Sequence, residues 1–260
     1  MQFVRYVDKN DKNSEHPRFG VLDGQTIREI EGEPVKEWKE TGRTVKVEDV
    51  RLLAPIVPHQ IIGIGKNFVG PNETKPEKLP DIPVFFFKPP TSVIGPDEDI
   101  VLPDSVDEVK FEAELAVVIG KKAHHITPEQ VHDCIFGYTV ANDVTATSLF
   151  HPEGHWTLGK AADTFTPLGP ILVTDLDENE VRIRSLLNGE EKQNSGLNNI
   201  IIDIPTMVSY LSQIMTLYPG DVILTGAPYG AEMMMEGDTI ECIVEPIGSL
   251  KNRVVRRQAK

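Results

Sequence analysis

The chain is poor in cysteine, in positive charge and in long apolar runs, and each shortage excludes a class of protein. Two cysteines occur in 260 residues, Cys134 and Cys242, and they form no Cys-x-x-Cys pair. Such spacing supports neither a disulfide framework nor a cysteine-bound zinc ion. Both cysteines are therefore expected to be buried free thiols.

Positive charge is outnumbered along the whole chain. Lysine and arginine total 26 against 40 aspartates and glutamates, which gives a net charge of −14. This balance opposes binding to nucleic-acid phosphates and to anionic membrane surfaces. No basic N-terminal segment precedes an apolar run, and no stretch is long enough to span a bilayer. We therefore expect a cytoplasmic protein with neither nucleic acid nor membrane as a partner.

Several common catalytic motifs are also missing. Gly63 and Gly65 would open a dinucleotide fingerprint only with a glycine at position 68, where Phe68 stands. Gly159 and Lys160 lack the upstream glycine of a phosphate-binding loop. Neither a His-Glu-x-x-His zinc motif nor a glycine-flanked nucleophilic serine is present.

Short alternating runs separated by turn residues predict a mainly β (α+β) protein with few helices. We expect a small N-terminal β subdomain over residues 1–50 and a catalytic domain over residues 51–260. A capping pattern at Thr127 predicts a short helix to about Ile135. A second helix should follow Asp203, where apolar residues recur at helical spacing.

Two glutamates one residue apart are the most informative local feature. Residues 109–120 are rich in β-branched side chains and predict a strand, on which Glu112 and Glu114 would share one face. Unpaired carboxylates repel each other and are costly to desolvate, so one could be protonated or both could bind a divalent cation. A solvated strand edge is the simpler alternative.

Seven short motifs follow one another between residues 65 and 228. They are GKNF (65–68), FFFKP (85–89), FEAELAVVIG (111–120), GYTVANDVTA (137–146), GKAADTFTPLGP (159–170), NGE (188–190) and PGDVILTGAP (219–228). In this order the motifs resemble those of the fumarylacetoacetate hydrolase superfamily. The resemblance covers roughly residues 50–255, most of the chain.

The resemblance implies a fold, a metal and an assembly. The fold would be a mixed β-roll or β-sandwich with a few short helices. The metal would be Mg²⁺ or Mn²⁺ held by Glu112, Glu114 and Asp143, and Ca²⁺ would also suit an all-oxygen set. Asp143 could also act as a helix cap or in an Asx turn, and either role would leave one oxygen for a metal. Members of the superfamily usually form homodimers, which we expect here.

The same motifs imply how substrate would be held. Lys160 would lie near the keto oxygen of a small anionic 2-oxo or diketo acid, and Thr225 with Gly226 would contact its carboxylate. Asn67 and Phe68 would complete the substrate-binding set. Without the motif, Lys160 would be expected to be an exposed or ion-paired lysine, and Thr225 an ordinary turn residue.

The chain departs from the superfamily where water is activated. Hydrolytic members carry a histidine and, three residues later, a glutamate, but Pro71 and Thr74 occupy those positions here. A one-residue gap would bring Glu73 to the glutamate position. His151 and His155 are predicted replacements for the missing base, because a histidine titrates near neutral pH.

Members of the superfamily share chemistry in which a carbanion is held as an enolate. The first prediction is a Mg²⁺- or Mn²⁺-dependent hydrolase that cleaves a carbon–carbon bond in a β-diketo or acylpyruvate-type acid. The second, favoured by the missing histidine, is an oxaloacetate-type decarboxylase or a 2-hydroxyhepta-2,4-diene-1,7-dioate isomerase-like enzyme. The third is a metal-retaining binding protein without turnover. Thr147 and Phe150 replace an arginine and a glutamine of the superfamily, so recognition of the substrate should be altered.

Overall fold

Strands dominate the computed structural model, which describes residues 1–9 and 16–257. In chain order they are β1 (Gln2–Asp8), β2 (Arg18–Asp23), β3 (Thr26–Gly32), β4 (Trp38–Lys46), β5 (Val50–Leu53), β6 (Ile61–Gly65), β7 (Val84–Lys88), β8 (Val93–Ile94), β9 (Ile100–Leu102), β10 (Glu108–Lys110), β11 (Ala113–Ile119), β12 (Ile135–Asn142), β13 (Thr166–Pro167), β14 (Leu172–Val173), β15 (Arg182–Leu187), β16 (Glu190–Gly196), β17 (Val222–Leu224), β18 (Met233–Met235), β19 (Thr239–Glu245) and β20 (Gly248–Arg256). The predicted mainly β fold class is confirmed.

The helices are short and lie between strands. Two are α-helices, α1 (Thr157–Lys160) and α2 (Ile204–Ile214), in the described part of the chain. Single 3₁₀ turns cover Val47–Asp49, Pro90–Ser92, Pro128–Gln130, His132–Cys134, Thr147–Leu149, Glu178–Glu180 and Leu197–Asn199. None of the helices within residues 1–9 and 16–257 is long and apolar enough to cross a membrane.

One large sheet carries most of the strands. Its eleven strands run in the order β4-β3-β2-β1-β14-β12-β11-β17-β6-β7, and β5 also pairs with β1. The strands of residues 1–50 extend this sheet, because β1 pairs antiparallel with β14 in the register Phe3 opposite Leu172. The division of the chain near residue 50 stays a prediction.

A second sheet of five strands, β16-β15-β19-β20-β9, packs on the large one. The main core lies between them, where Leu115 and Val117 of β11 join Ile240 and Val244 of β19 in one buried cluster. Such face-to-face packing buries alternate side chains of both sheets.

Strand β11 is buried along its whole length. Its side chains on the face opposite the main core, including Ala116 and Val118, pack with Phe3 in a second cluster. The ring of Phe3 also contacts Trp38 and Phe136, each with a centroid distance of 5.6 Å. A carboxylate on this face of β11 is therefore removed from water.

The strand predicted over residues 109–120 is interrupted. β10 ends at Lys110 and pairs with β18, whereas β11 begins at Ala113 and pairs with β12 and β17. Between them the backbone N–H of Glu112 donates to the side-chain oxygen of Asn142 (2.9 Å) instead of to a backbone carbonyl. Glu112 consequently lies just outside the strand that carries Glu114.

The short helix predicted from Thr127 to about Ile135 is present as two consecutive 3₁₀ turns. Its capping box is present, because the Thr127 N–H donates to Oε1 of Gln130 at 2.9 Å. The backbone then forms 3₁₀ turns, since the Cys134 carbonyl accepts from Gly120 at 2.7 Å and β12 starts at the next residue. The helix predicted after Asp203 is confirmed as α2.

Removal of the α2 cap should destabilise the fold by a small, measurable amount. The Asp203 carboxylate accepts from the Thr206 N–H at 2.9 Å, which satisfies a free donor of the first turn. Asp203→Ala should lower the free energy of unfolding in urea by about 1 kcal/mol. Asp203→Asn keeps the acceptor oxygen, so its free energy of unfolding should stay within a few tenths of a kcal/mol of the wild-type value. Equal losses in both variants would contradict the capping role.

Candidate active site

A cavity of about 640 Å³ collects most of the predicted site residues. Its lining includes the three predicted metal ligands, Glu112, Glu114 and Asp143, together with Lys160. The sheet register explains why they meet. Because β11 and β12 pair antiparallel with Ala113 opposite Asn142, the start of one strand lies beside the end of the other.

The three carboxylates form one tight group. One oxygen of each lies within 4.8 Å of an oxygen of both others. The backbone holds them in place, because the Asp143 N–H donates to the Glu112 carbonyl at 2.9 Å. Glu114 and Asp143 are 2% and 1% exposed, so water can stabilise little of their charge.

Three lysines neutralise part of this charge. Nζ of Lys88 donates to Oδ1 of Asp143 (2.6 Å), and Nζ of Lys160 donates to Oδ2 of Asp143 and to Oε2 of Glu112 (2.5 Å). Nζ of Lys110 donates to the other oxygen of Glu112, Oε1 (3.1 Å). Burial raises the pKa of Asp143, but the ammonium groups of Lys88 and Lys160 outweigh it and hold that pKa below its usual value. Burial likewise lowers the pKa of Lys160, and the two carboxylates outweigh it, so the net shift is upward.

Glu114 is the member of the group left without a cation. Its Oε2 accepts the Gly226 N–H at 2.7 Å, and no lysine or arginine pairs with it in the described residues. Burial, followed by the charges of Asp143 and Glu112, raises the pKa of Glu114 well above its usual value. All three contacting lysines thus pair with Asp143 or Glu112, and Glu114 alone of the three carboxylates lacks a lysine partner among the described residues.

This arrangement fits a divalent cation. All three donors are hard carboxylate oxygens, which Mg²⁺, Mn²⁺ and Ca²⁺ prefer over softer ligands. A cation would also offset the charge at Glu114 that the lysines leave uncompensated. Glu112, Glu114 and Asp143 are accordingly the residues that would hold the metal.

Comparison with known proteins shows which family the chain belongs to. A sequence model described as fumarylacetoacetate (FAA) hydrolase C-terminal matches residues 60–255. The chain belongs to the fumarylacetoacetate hydrolase family. A second model, described as Rv2993c-like, N-terminal, matches residues 1–55.

Three relatives illustrate the range of named activities within the family. Oxaloacetate tautomerase Fahd2a, mitochondrial, of Rattus norvegicus is 38% identical over 79% of this chain and 70% of its own length. The crystal structure of a 5-carboxymethyl-2-hydroxymuconate delta-isomerase from Mycobacterium smegmatis is 39% identical, covers 99% of this chain and 100% of its own, and has a TM-score of 0.90. A maleylpyruvate hydrolase from Sphingobium sp. SYK-6, in complex with manganese (II) ion and pyruvate, is 27% identical with a TM-score of 0.81, covering 99% and 100%.

Two residues that were predicted to bind substrate, Thr225 and Asn67, hydrogen-bond to the backbone around the site. The buried Thr225 hydroxyl donates to the Leu115 carbonyl (2.9 Å). The buried Asn67 amide donates to the carbonyls of Ile202 (3.0 Å) and Thr225 (2.9 Å) and accepts from the Ile202 N–H (2.8 Å). Neither lines the cavity, and Gly226 acts through its N–H on Glu114. Contact of Thr225 and Asn67 with substrate stays a prediction.

Of the three predicted general bases, the structure places one in the cavity lining and two outside it. Glu73 and Phe68 both line the cavity, and Oε2 of Glu73 accepts the Gly70 N–H at 2.9 Å. His151 and His155 are exposed, pack against each other with ring centroids 5.8 Å apart, and do not line it. Phe150 and Trp156 line the cavity, whereas the two histidines are exposed outside its lining, so Glu73 is the best placed of the three predicted bases.

Sequence reasoning overlooked Lys88. This lysine is fully buried in β7 and also donates to the Val144 carbonyl (3.1 Å), so it fixes the orientation of Asp143. A signal was available in FFFKP, where a lysine follows three aromatic residues on a strand. A buried lysine is rarely unpaired, which implies an acidic partner nearby.

Charge at Glu114 should control metal affinity. Glu114→Gln keeps an oxygen for the Gly226 N–H but removes the uncompensated charge, so the affinity for Mn²⁺ should fall by at least about 100-fold in titration calorimetry. Glu108→Gln, an exposed change on β10 outside the cavity, should leave it unaltered. Wild-type affinity in Glu114→Gln, with circular dichroism confirming the fold, would show that this carboxylate is not a ligand.

Replacement of Lys88 should lower the free energy of unfolding far more than replacement of a surface lysine. Lys88→Met leaves Asp143 buried with Lys160 as its remaining partner, so the free energy of unfolding in chelator should fall by about 3 kcal/mol. Lys46→Met breaks an exposed pair with Glu48 and should cost at most about 1 kcal/mol. Urea titrations that give equal losses would contradict a structural role for the Lys88–Asp143 pair.

Proposed function

We propose that this chain is a Mg²⁺- or Mn²⁺-dependent hydrolase that cleaves a carbon–carbon bond in a β-diketo or acylpyruvate-type acid. The observation that carries the proposal is the group of three carboxylates with Lys160 at the wall of one cavity. The named manganese and pyruvate of the maleylpyruvate hydrolase relative support a metal and a 2-oxo acid. A homodimer remains a proposal carried over from the resemblance.

The residues of the site suit an enolate reaction. A divalent cation held by Glu112, Glu114 and Asp143 would act as a Lewis acid toward the keto oxygen of the substrate. Lys160 bridges two of these carboxylates, and its raised pKa keeps it protonated at neutral pH. It therefore serves as a fixed positive charge beside the oxygen where negative charge develops, rather than as a base.

Hydrolysis also needs a group that takes a proton from water. Glu73 is the candidate, because it lines the cavity and its carboxylate accepts only the Gly70 N–H within the described part of the chain. Water would add to the acyl carbonyl carbon while Glu73 accepts its proton. The carbon–carbon bond then breaks, its electron pair goes to the 2-oxo acid as an enolate, and protonation at carbon releases the product.

A second candidate function needs no activated water. Pro71 stands where hydrolytic members carry a histidine, and relatives are named as an oxaloacetate tautomerase and a delta-isomerase. The same cation and Lys160 would stabilise an enolate that is then reprotonated at another position, or one that forms when CO₂ leaves a 2-oxo diacid. The second candidate function is therefore that of a tautomerase, a dienedioate isomerase or an oxaloacetate-type decarboxylase.

Substrate assays with metal and chelator separate the candidates. Acylpyruvates and fumarylacetoacetate should lose enol absorbance in Mg²⁺ or Mn²⁺, with two carboxylic products, and chelator should stop the reaction. Glu73→Gln should lower kcat by at least about 100-fold, the usual effect of losing a general base. His151→Ala and His155→Ala should keep wild-type rates, because both side chains are exposed and do not line the cavity.

The alternatives give different products. Interconversion or decarboxylation of oxaloacetate without cleavage of any diketo acid would favour the second function. Tight metal binding with no turnover of any of these acids would identify a metal-retaining binding protein. Loss of activity in His151→Ala but not in Glu73→Gln would overturn the assigned base.

A further inference from the structure

One wall of the cavity is built from aromatic rings. The Trp156 ring lies between two others: its centroid is 6.1 Å from that of Phe86 and 5.8 Å from that of Phe150. The planes of Trp156 and Phe150 are nearly parallel, at 14°. All three residues line the cavity, and we call them the aromatic wall.

The backbone is shaped to admit these rings. A Cβ atom at Gly65 would lie 2.3 Å from the Trp156 ring, and one at Gly159 would lie 2.5 Å from the Phe150 ring. Only glycine allows such close approach at these two positions. Trp156 and Phe150 therefore pack closely against β6 and α1, which suits a site that selects by shape.

The aromatic wall begins at the reacting end of the cavity. Nζ of Lys160 lies 4.6 Å from the Phe86 centroid while it bridges Asp143 and Glu112. A carbonyl group held at Lys160 would thus carry its substituent past Phe86 and onto Trp156. No residue of the aromatic wall is charged, so a substituent stacked on the wall would be recognised by its flat shape rather than by its charge.

We propose that Phe86, Trp156 and Phe150 form a subsite for a flat, unsaturated or aromatic substituent on the carbonyl carbon of the 2-oxo acid. This inference rests on the proposed function, because the cation and Lys160 would fix the acid at one end. Aromatic faces gain stacking energy from a flat partner that a saturated ring of equal size cannot supply. The subsite should therefore discriminate flat from puckered groups.

A pair of matched ligands tests the subsite without turnover of a diketo acid. Phenylglyoxylate and cyclohexylglyoxylate share the 2-oxo acid head and differ in the flatness of the ring. In titration calorimetry with Mn²⁺, the wild-type protein should bind phenylglyoxylate about 3- to 10-fold more tightly. Trp156→Leu and Phe150→Leu should each bring the ratio of the two Kd values close to one.

The controls separate this inference from the function on which it rests. Tyr218→Leu changes an exposed tyrosine outside the cavity and should keep the wild-type ratio. If pyruvate binds with Mn²⁺ but the wild-type ratio is one, or if neither leucine variant changes the ratio, the subsite is wrong and the proposed function stands. If none of the 2-oxo acids binds in the presence of Mn²⁺, both are wrong. Mn²⁺ affinity measured on each variant shows that a changed ratio is not a result of unfolding.

Discussion

Mutual repulsion among three neighbouring carboxylates is the constraint on which the rest of this structure depends. Glu112, Glu114 and Asp143 place oxygens within 4.8 Å of one another, and two of the three are buried. Charges this close in a poorly solvated site are tolerated only with compensation. Three lysines supply it at Asp143 and Glu112 but not at Glu114. The uncompensated charge is what makes the site fit a divalent cation.

The two packed sheets create this constraint as much as the acidic residues do. β11 is buried on both faces, so Glu114 is only 2% exposed, and the pairing of β11 with β12 brings Asp143 alongside. Hydrogen bonds from Thr225 and Asn67 then hold the adjacent backbone, including the N–H that contacts Glu114. Thr225 and Asn67, which the sequence predicted to bind substrate, thus position the main chain that contacts Glu114.

The sequence predicted those parts of the site that depend on local pattern. Alternation and turn residues indicated a mainly β fold, and the ordered motifs indicated the three carboxylates and Lys160. The interruption before β11 was not predictable, because strand periodicity does not encode where a chain passes from one sheet to another. Lys88 was overlooked since its partner is 55 residues away along the chain. The exposure of His151 and His155 outside the cavity lining depends on how the chain folds there, which residue type alone does not determine.

The central claim is that the carboxylate group holds a divalent cation, and locating the ion tests it most directly. Crystals grown with Mn²⁺ should give one strong anomalous peak at this group, with oxygens of Glu112, Glu114 and Asp143 about 2.0–2.3 Å from it, the range for hard divalent cations. The Lys160 ammonium should remain nearby without occupying the same place. An empty group at saturating Mn²⁺, with Lys160 still bridging Asp143 and Glu112, would contradict the account.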